Sequence, residues 1–330
     1  MEQQRLERKM ERYIEIVSQL KSKLKWSVSN NQTYMMIASM YIVNEKEFDM
    51  DRFLDISEYI KDEVGLFSTL KSQTRFTTAA MLDIHFDTPK EMFHKYLEVY
   101  EAFVDQRFQR GVFTYIAAMV HFLKHKELNL PLVQRARSIY KGMRVEHPFL
   151  TTNMDYPLSV LLGEVDKEED ALINYVEAFY AHLNENGFTK GNQLQFLSHI
   201  LALPSEESEK VLVERVQKVK STFVDFRLKG KQAYYPEMGM LSLIENGATH
   251  VSTVKQLSSK LDKEKLFKWY PDMNVKITTN IVVSEITEDT NVSETNLYTA
   301  IEAIVQAQQA AMVAVLASSS AVVAGGGDGS

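Results

Sequence analysis

The chain has 330 residues, 45% of them apolar, enough for a sizeable core, and its net charge of −7 argues against a general nucleic-acid binder. It contains no cysteine, so no disulfide framework is possible and a reducing compartment, the cytoplasm, is expected. No stretch reaches ~18 consecutive apolar residues, which excludes a hydrophobic spanning helix, and Met1 to Lys25 lacks the apolar centre of a signal peptide.

Residues 4–24 read as one helix. Leu6, Met10, Tyr13, Ile14, Val17, Leu20 and Leu24 form its apolar stripe, and Arg and Lys fill much of the rest. It is expected to cap the N-terminal end. Beyond it a large apolar residue recurs at Trp26, Phe67, Phe108, Phe149, Phe188, Leu228 and Trp269, at spacings of 41, 41, 41, 39, 40 and 41. Six of the seven are aromatic, although only 10% of the chain is. A period of about forty residues is the signature of a helix-pair array. The stretch Asn184 to Asn192, with Gly187, Phe188 and Gly191, shows the setting: an aromatic inside a glycine- and asparagine-rich breaker. Each of these anchors is expected to plug the space between its own repeat and a neighbour.

After each anchor comes a short apolar segment with a small residue near its centre and a large one two positions on. The pairs are Ala38/Met40, Ala79/Met81, Ala117/Met119, Ser159/Leu161, Ser198/Ile200, Gly239/Leu241 and Thr279/Ile281. Small residues at matching places let helices approach closely. These A helices are expected over 32–43, 74–86, 112–125, 155–164, 192–203, 234–245 and 273–286. An amphipathic B helix follows each, as in the stripe Phe93, Tyr96, Leu97, Tyr100 and Val104. Tyr59, Tyr100 and Tyr180 lie eight residues before their anchors and Tyr140 nine, well placed to cover the next turn. Thr88-Pro89 with Glu91, Asn129-Leu130-Pro131, and Ser205 and Ser208 mark B-helix starts, while Pro157 and Pro236 sit early in A helices. Residues 277–283 are rich in β-branched residues and alone suggest a strand, but the repeat register makes them helical.

A last helix is expected over 294–317, followed by a low-complexity tail at 318–330. The helix either caps the final repeat or, through 303–316, docks on a partner or a second copy. The expected fold is therefore all-α, an α-solenoid-like array of about seven helix-turn-helix repeats forming one domain over 1–317.

Chemistry is sparse. His121 and His125 lie four apart on one helix face, but zinc wants at least three protein ligands and no carboxylate has a spacing that nominates it, so no metal site is expected. Asp83, His85 and Asp87 alternate at a helix end and do not share a face. Ser198-His199 is no nucleophile–base pair by sequence adjacency. Neither a P-loop nor a GxGxxG or GxSxG motif occurs, so no cofactor is called for.

Leu24-Lys25-Trp26, Arg75-Phe76-Thr77, Asp155-Tyr156-Pro157-Leu158, Leu194 to Leu201, Tyr234-Tyr235-Pro236, Phe267-Lys268-Trp269 and the Gln- and Ala-rich C-terminal segment resemble a bacterial family known only as a domain of unknown function, number 4003 in its series. The likeness runs over nearly the full length. It implies a bacterial, cytoplasmic, helical protein and carries no activity or catalytic residue with it.

The expected function is a non-catalytic scaffold that binds a protein or peptide, since helical arrays offer long binding surfaces. One alternative is an enzyme with a pocket among the A helices, for which Asp83, His85, His121, Glu164 and His199 are the candidates. A second is membrane-surface association through the C-terminal helix.

Overall fold

A computed structural model describes residues 2–28, 30–66, 68–203, 208–228, 230–289 and Val305. Among the described residues the regular structure is all helical, with fourteen α-helices and no strand. The first is α1 (Glu2–Leu24). Short apolar helices then alternate with longer amphipathic ones. The apolar set is α2 (Asn31–Val43), α4 (Thr74–His85), α6 (Val112–His125), α8 (Tyr156–Gly163), α10 (Asn192–Ala202), α12 (Tyr235–Leu243) and α14 (Pro271–Asp289). The amphipathic set is α3 (Met50–Glu63), α5 (Pro89–Asp105), α7 (Leu130–Glu146), α9 (Glu169–Glu185), α11 (Glu209–Asp225) and α13 (Val251–Leu261). The expected A helices thus exist at the expected places, and residues 277–283 are helical inside α14. Phe67, most of 294–317 and the tail 318–330 lie outside the described residues. No described helix is long and apolar enough to cross a membrane.

Two compact units divide the chain, Met1–Asn129 and Leu130–Val305. In the first, α2 packs on α1 and α4, and α3 packs on α4 and α5. In the second, α8, α10, α12 and α14 touch in succession, as do α7, α9, α11 and α13. The two helix classes therefore form two layers within that unit. Position in the layers explains composition. Every residue of α8 and α12 is buried, whereas α5 buries Phe93, Tyr96, Val99, Tyr100 and Phe103, the inward stripe of an amphipathic helix.

The small residues of the A helices are buried throughout. At Gly239 the reason is steric: a Cβ there would lie 2.7 Å from Leu197 Cδ1 and 3.2 Å from Ile200 Cγ2, so α12 and α10 could not approach as they do. The β-branched residues of α14 are accommodated by burial and by their own helix. Thr278 Oγ1 donates to Asn274 O at 2.7 Å and Thr279 Oγ1 to Val275 O at 2.8 Å. Packing overrides strand propensity here. Helix starts follow local chemistry in part. Asp49 accepts from Arg52 N at 2.9 Å and Ser208 from Val211 N at 3.4 Å, while Thr88 makes no side-chain cap bond.

The anchors divide into two groups. Phe108, Phe188 and Leu228 are 2%, 1% and 6% exposed. Each follows a residue in the left-handed region, Arg107 (φ 70°), Gly187 (φ 81°) and Arg227 (φ 59°). Each anchor N–H bonds the carbonyl five residues back: Phe103 at 3.1 Å, Leu183 at 3.0 Å and Phe223 at 2.8 Å. The left-handed residue bonds back in turn, to Val104, Asn184 and Val224. This is the Schellman motif, and its apolar contact between the second residue past the cap and the last helical turn explains an aromatic in a turn. The Phe103 and Phe108 rings are 4.9 Å apart. Phe188 also reaches α11 and α12: its ring lies 4.0 Å from Lys220 Nζ and meets Tyr235 at 4.9 Å.

Trp26, Phe149 and Trp269 correct the expectation of a plug at every anchor, being 89%, 95% and 76% exposed. No left-handed residue precedes them. The chain leaves the helix by another route, and a neighbour two positions away takes the buried place: Val28, Thr151 and Phe267.

Candidate functional site

Each exposed ring stands beside a buried residue in sequence. Beside Trp26, Val28 N bonds Leu24 O at 2.9 Å and Val28 O accepts from Tyr34 OH at 2.7 Å. Beside Trp269, buried Phe267 bonds Glu264 O at 3.0 Å through its N–H. Beside Phe149, Thr151 Oγ1 donates to Met143 O at 3.0 Å, and His147 packs on Tyr180 at 4.5 Å and faces Glu177 at 2.9 Å. Lysines flank both tryptophans: Lys25 Nζ is 5.4 Å and Lys268 Nζ 4.9 Å from the adjacent ring centre. At protein interfaces in general, aromatic side chains carry much of the binding energy. The sequence signal was present in the repeated Lys-Trp dipeptide; the anchor column hid it by grouping these residues with buried ones.

In the unit Met1–Asn129, Asp83 is buried on α4. It accepts from Tyr41 OH at 2.7 Å and pairs with Arg52, whose guanidinium also reaches Phe86 O at 3.4 Å. Burial and the neighbouring carboxylate push the Tyr41 phenol far up. This triad ties α2, α3 and α4 together and satisfies a buried charge. Spacing gave no hint of Tyr41 or Arg52, which lie on other helices. Burial pushes His85 down to about 4, with Lys46 adding to the effect. His121 is buried on α6. Its Nε2 accepts from Asn129 N at 3.1 Å, placing the proton on Nδ1, and its ring lies 4.7 Å from that of His125.

In the unit Leu130–Val305, His199 is buried on α10, and burial pushes it down to about 3, with His147 adding to the effect. Its Nδ1 has no hydrogen-bond partner among the described residues. One turn earlier Gln195 Nε2 donates to Thr151 Oγ1 at 2.8 Å. Glu164 follows α8, where its N–H bonds Leu161 O at 3.1 Å. Imidazoles held neutral this firmly are poor proton carriers at neutral pH. His85 and His199 therefore serve packing better than acid–base chemistry.

Two tyrosines do cover the following turn. Tyr100 OH accepts from Gly111 N at 3.3 Å and Tyr180 OH from Gly191 N at 3.2 Å. Both glycines have positive φ and open the next apolar helix. Tyr59 bonds His94 Nε2 at 2.7 Å instead, and Tyr140 meets Tyr156 edge-on at 4.8 Å.

No solved structure matches the chain. It is 41% identical over 319 residues to "Uncharacterized protein YeaA" of Bacillus subtilis (strain 168), an alignment covering 96% of each chain. The match to a family spans residues 16–310, and the chain belongs to that family, described as "Protein of unknown function (DUF4003)".

Proposed function

We propose that the chain is a non-catalytic helical-repeat protein of the cytoplasm that binds a protein or peptide through the aromatic turns preceding its A helices. One observation carries this reading: Trp26, Phe149 and Trp269 recur in one sequence register and are 89%, 95% and 76% exposed. Large aromatics so exposed are costly unless something covers them in use. The flanking Lys25 and Lys268 favour a partner that presents apolar side chains beside carboxylates. The apolar groove in the first unit is lined by Met40, Thr77, Met81, Tyr96 and Met119 among others, and Asp83, His85 and His121 are not among them.

The chain's two tryptophans are both exposed, so fluorescence tests the reading directly. Partners captured from native lysate by the parent are identified, then titrated into purified protein. Blue-shifted emission, and loss of capture by Trp26→Ala and Trp269→Ala at unchanged melting temperature, are expected. Capture that survives both substitutions together with Phe149→Ala refutes the assignment.

A further inference from the structure

In the unit Leu130–Val305, the turns that lead from α7 to α8, α9 to α10, α11 to α12 and α13 to α14 lie side by side. Gln195 of α10 donates to Thr151 in the first turn at 2.8 Å. In the second, Gly187 O accepts from Lys220 Nζ of α11 at 2.6 Å, and Thr189 N donates to Tyr235 OH of α12 at 3.1 Å. Lys231 in the third pairs with Asp272 of α14 at 2.9 Å. The four turns thus build one edge of the unit. Among the described residues of this unit, six of the seven exposed large apolar side chains stand on that edge: Val145, Phe149, Met154, Val224, Phe226 and Trp269. Leu130, the seventh, opens α7 at its other end. Packing does not require them there, because each turn already has its buried residue in Thr151, Phe188, Leu228 or Phe267.

The charge along the edge is uneven. Residues 218–228 hold three cations and one carboxylate, and residues 260–269 hold four cations and two carboxylates. In a chain of net charge −7 this basic excess is local. Residues 144–155 carry Arg144 against Glu146 and Asp155, and 164–170, beyond the other end of α8, carry five carboxylates and one lysine. Helix dipoles favour cations at C-terminal ends, but they give no reason for exposed Val224, Phe226 and Trp269 among those cations. Apolar side chains set among charges of one sign suit an amphipathic partner of the opposite sign. Packed helix axes lie roughly 8–10 Å apart, so the edge from α7 to α13 is about 25–30 Å long, a span that about nine residues of extended chain cover. A lipid surface would meet all four turns alike, whereas the basic excess is confined to two of them. We infer that an acidic protein segment bearing large apolar side chains lies across this edge, with its carboxylates at the α11 and α13 turns and an apolar side chain against Phe149. The assignment rests on the chain binding a protein, and it places the site within one unit, without Trp26.

Three probes test it on the full chain carrying Trp26→Phe, so that Trp269 alone emits: a glutamate-rich glutamate–tyrosine copolymer, polyglutamate, and vesicles of phosphatidylcholine with about one-third phosphatidylglycerol. The copolymer should bind about tenfold more tightly than polyglutamate and shift the emission to the blue. Lys263→Glu together with Lys265→Glu should weaken copolymer binding by about tenfold, and Phe149→Ala by about threefold, at unchanged melting temperature. Equal binding of copolymer and polyglutamate would leave a site for charge alone. Tighter binding to the vesicles would give the edge to a membrane, and copolymer binding indifferent to the lysine pair would move it elsewhere. Each of these overturns the inference, as does a copolymer that fails to bind. Capture of lysate protein that is lost in Trp26→Ala but intact in Phe149→Ala and Trp269→Ala overturns it too, yet keeps the protein-binding reading, which fails only when capture survives all three substitutions together.

Discussion

At Phe188 the chain leaves α9 through Gly187 in the left-handed region, and the ring closes against Tyr235 and Lys220. At Phe149, 39 residues earlier, α7 ends without such a residue. There His147 N bonds Met143 O at 2.9 Å, and the ring stands in solvent. Both residues are phenylalanine, and both occupy the same position of a forty-residue pattern. The left-handed cap is what separates them. It reverses the chain so that the second residue past the helix folds back on the last turn. Without it, that place is reached two residues sooner or later, and the aromatic is displaced outward. An aromatic column in sequence therefore mixes two roles, packing and display.

The largest effect is expected at Phe188. Phe188→Ala should cost ~3–5 kcal/mol in chemical denaturation, the range for truncating a buried Phe. Phe188→Leu should cost less than about 1.5 kcal/mol, because Leu228 fills the equivalent place. An unchanged midpoint for the alanine variant would return Phe188 to the displayed class.

The next effect is acid sensitivity. His199 and His85 have folded values of about 3 and about 4, below the ordinary imidazole value of 6.5. The unfolded chain binds their protons first, so their stability contribution is full above 6.5 and is lost as pH falls toward 3–4. Asp155 opposes them. Burial holds its carboxyl up at about 6, so its contribution is present at low pH and lost as pH rises from its ordinary 3.8 through 6. With two imidazoles against one carboxyl, the denaturation midpoint should fall between pH 6.5 and 4.5, and fall less steeply in His199→Asn. An equal slope in that variant would remove His199 from the account.

Smaller effects are expected at the left-handed positions. Gly187→Ala should cost about 1–2 kcal/mol, since a Cβ is strained at φ 81°. Arg227→Gly, at φ 59°, should stabilise by up to about 1 kcal/mol for the same reason. Opposite signs at equivalent turns would tie the effect to the cap rather than to local packing.

The smallest effects are expected at the displayed rings. Trp26→Ala, Phe149→Ala and Trp269→Ala should each stay within about 0.5 kcal/mol of the parent, as exposed substitutions do. A loss near that of Phe188→Ala would show that these rings pack after all.

Much of this protein was legible in its sequence. The helical period, the small buried residues and the turn glycines are local facts of composition and spacing, and they suffice to locate α2, α4, α6, α8, α10, α12 and α14. The register also overruled the β-branched run in α14, because burial on all sides outweighs an intrinsic preference of under about 1 kcal/mol per residue. Other facts needed three dimensions. Tyr41 and Arg52 meet Asp83 only because three helices converge, and separations of 42 and 31 residues carry no local signal. Arg107 and Arg227 are left-handed although arginine does not advertise it, since the apolar contact of the following residue compensates for the strain. Whether an aromatic in a turn is buried or displayed was set by that single dihedral, which sequence spacing counts as one residue like any other.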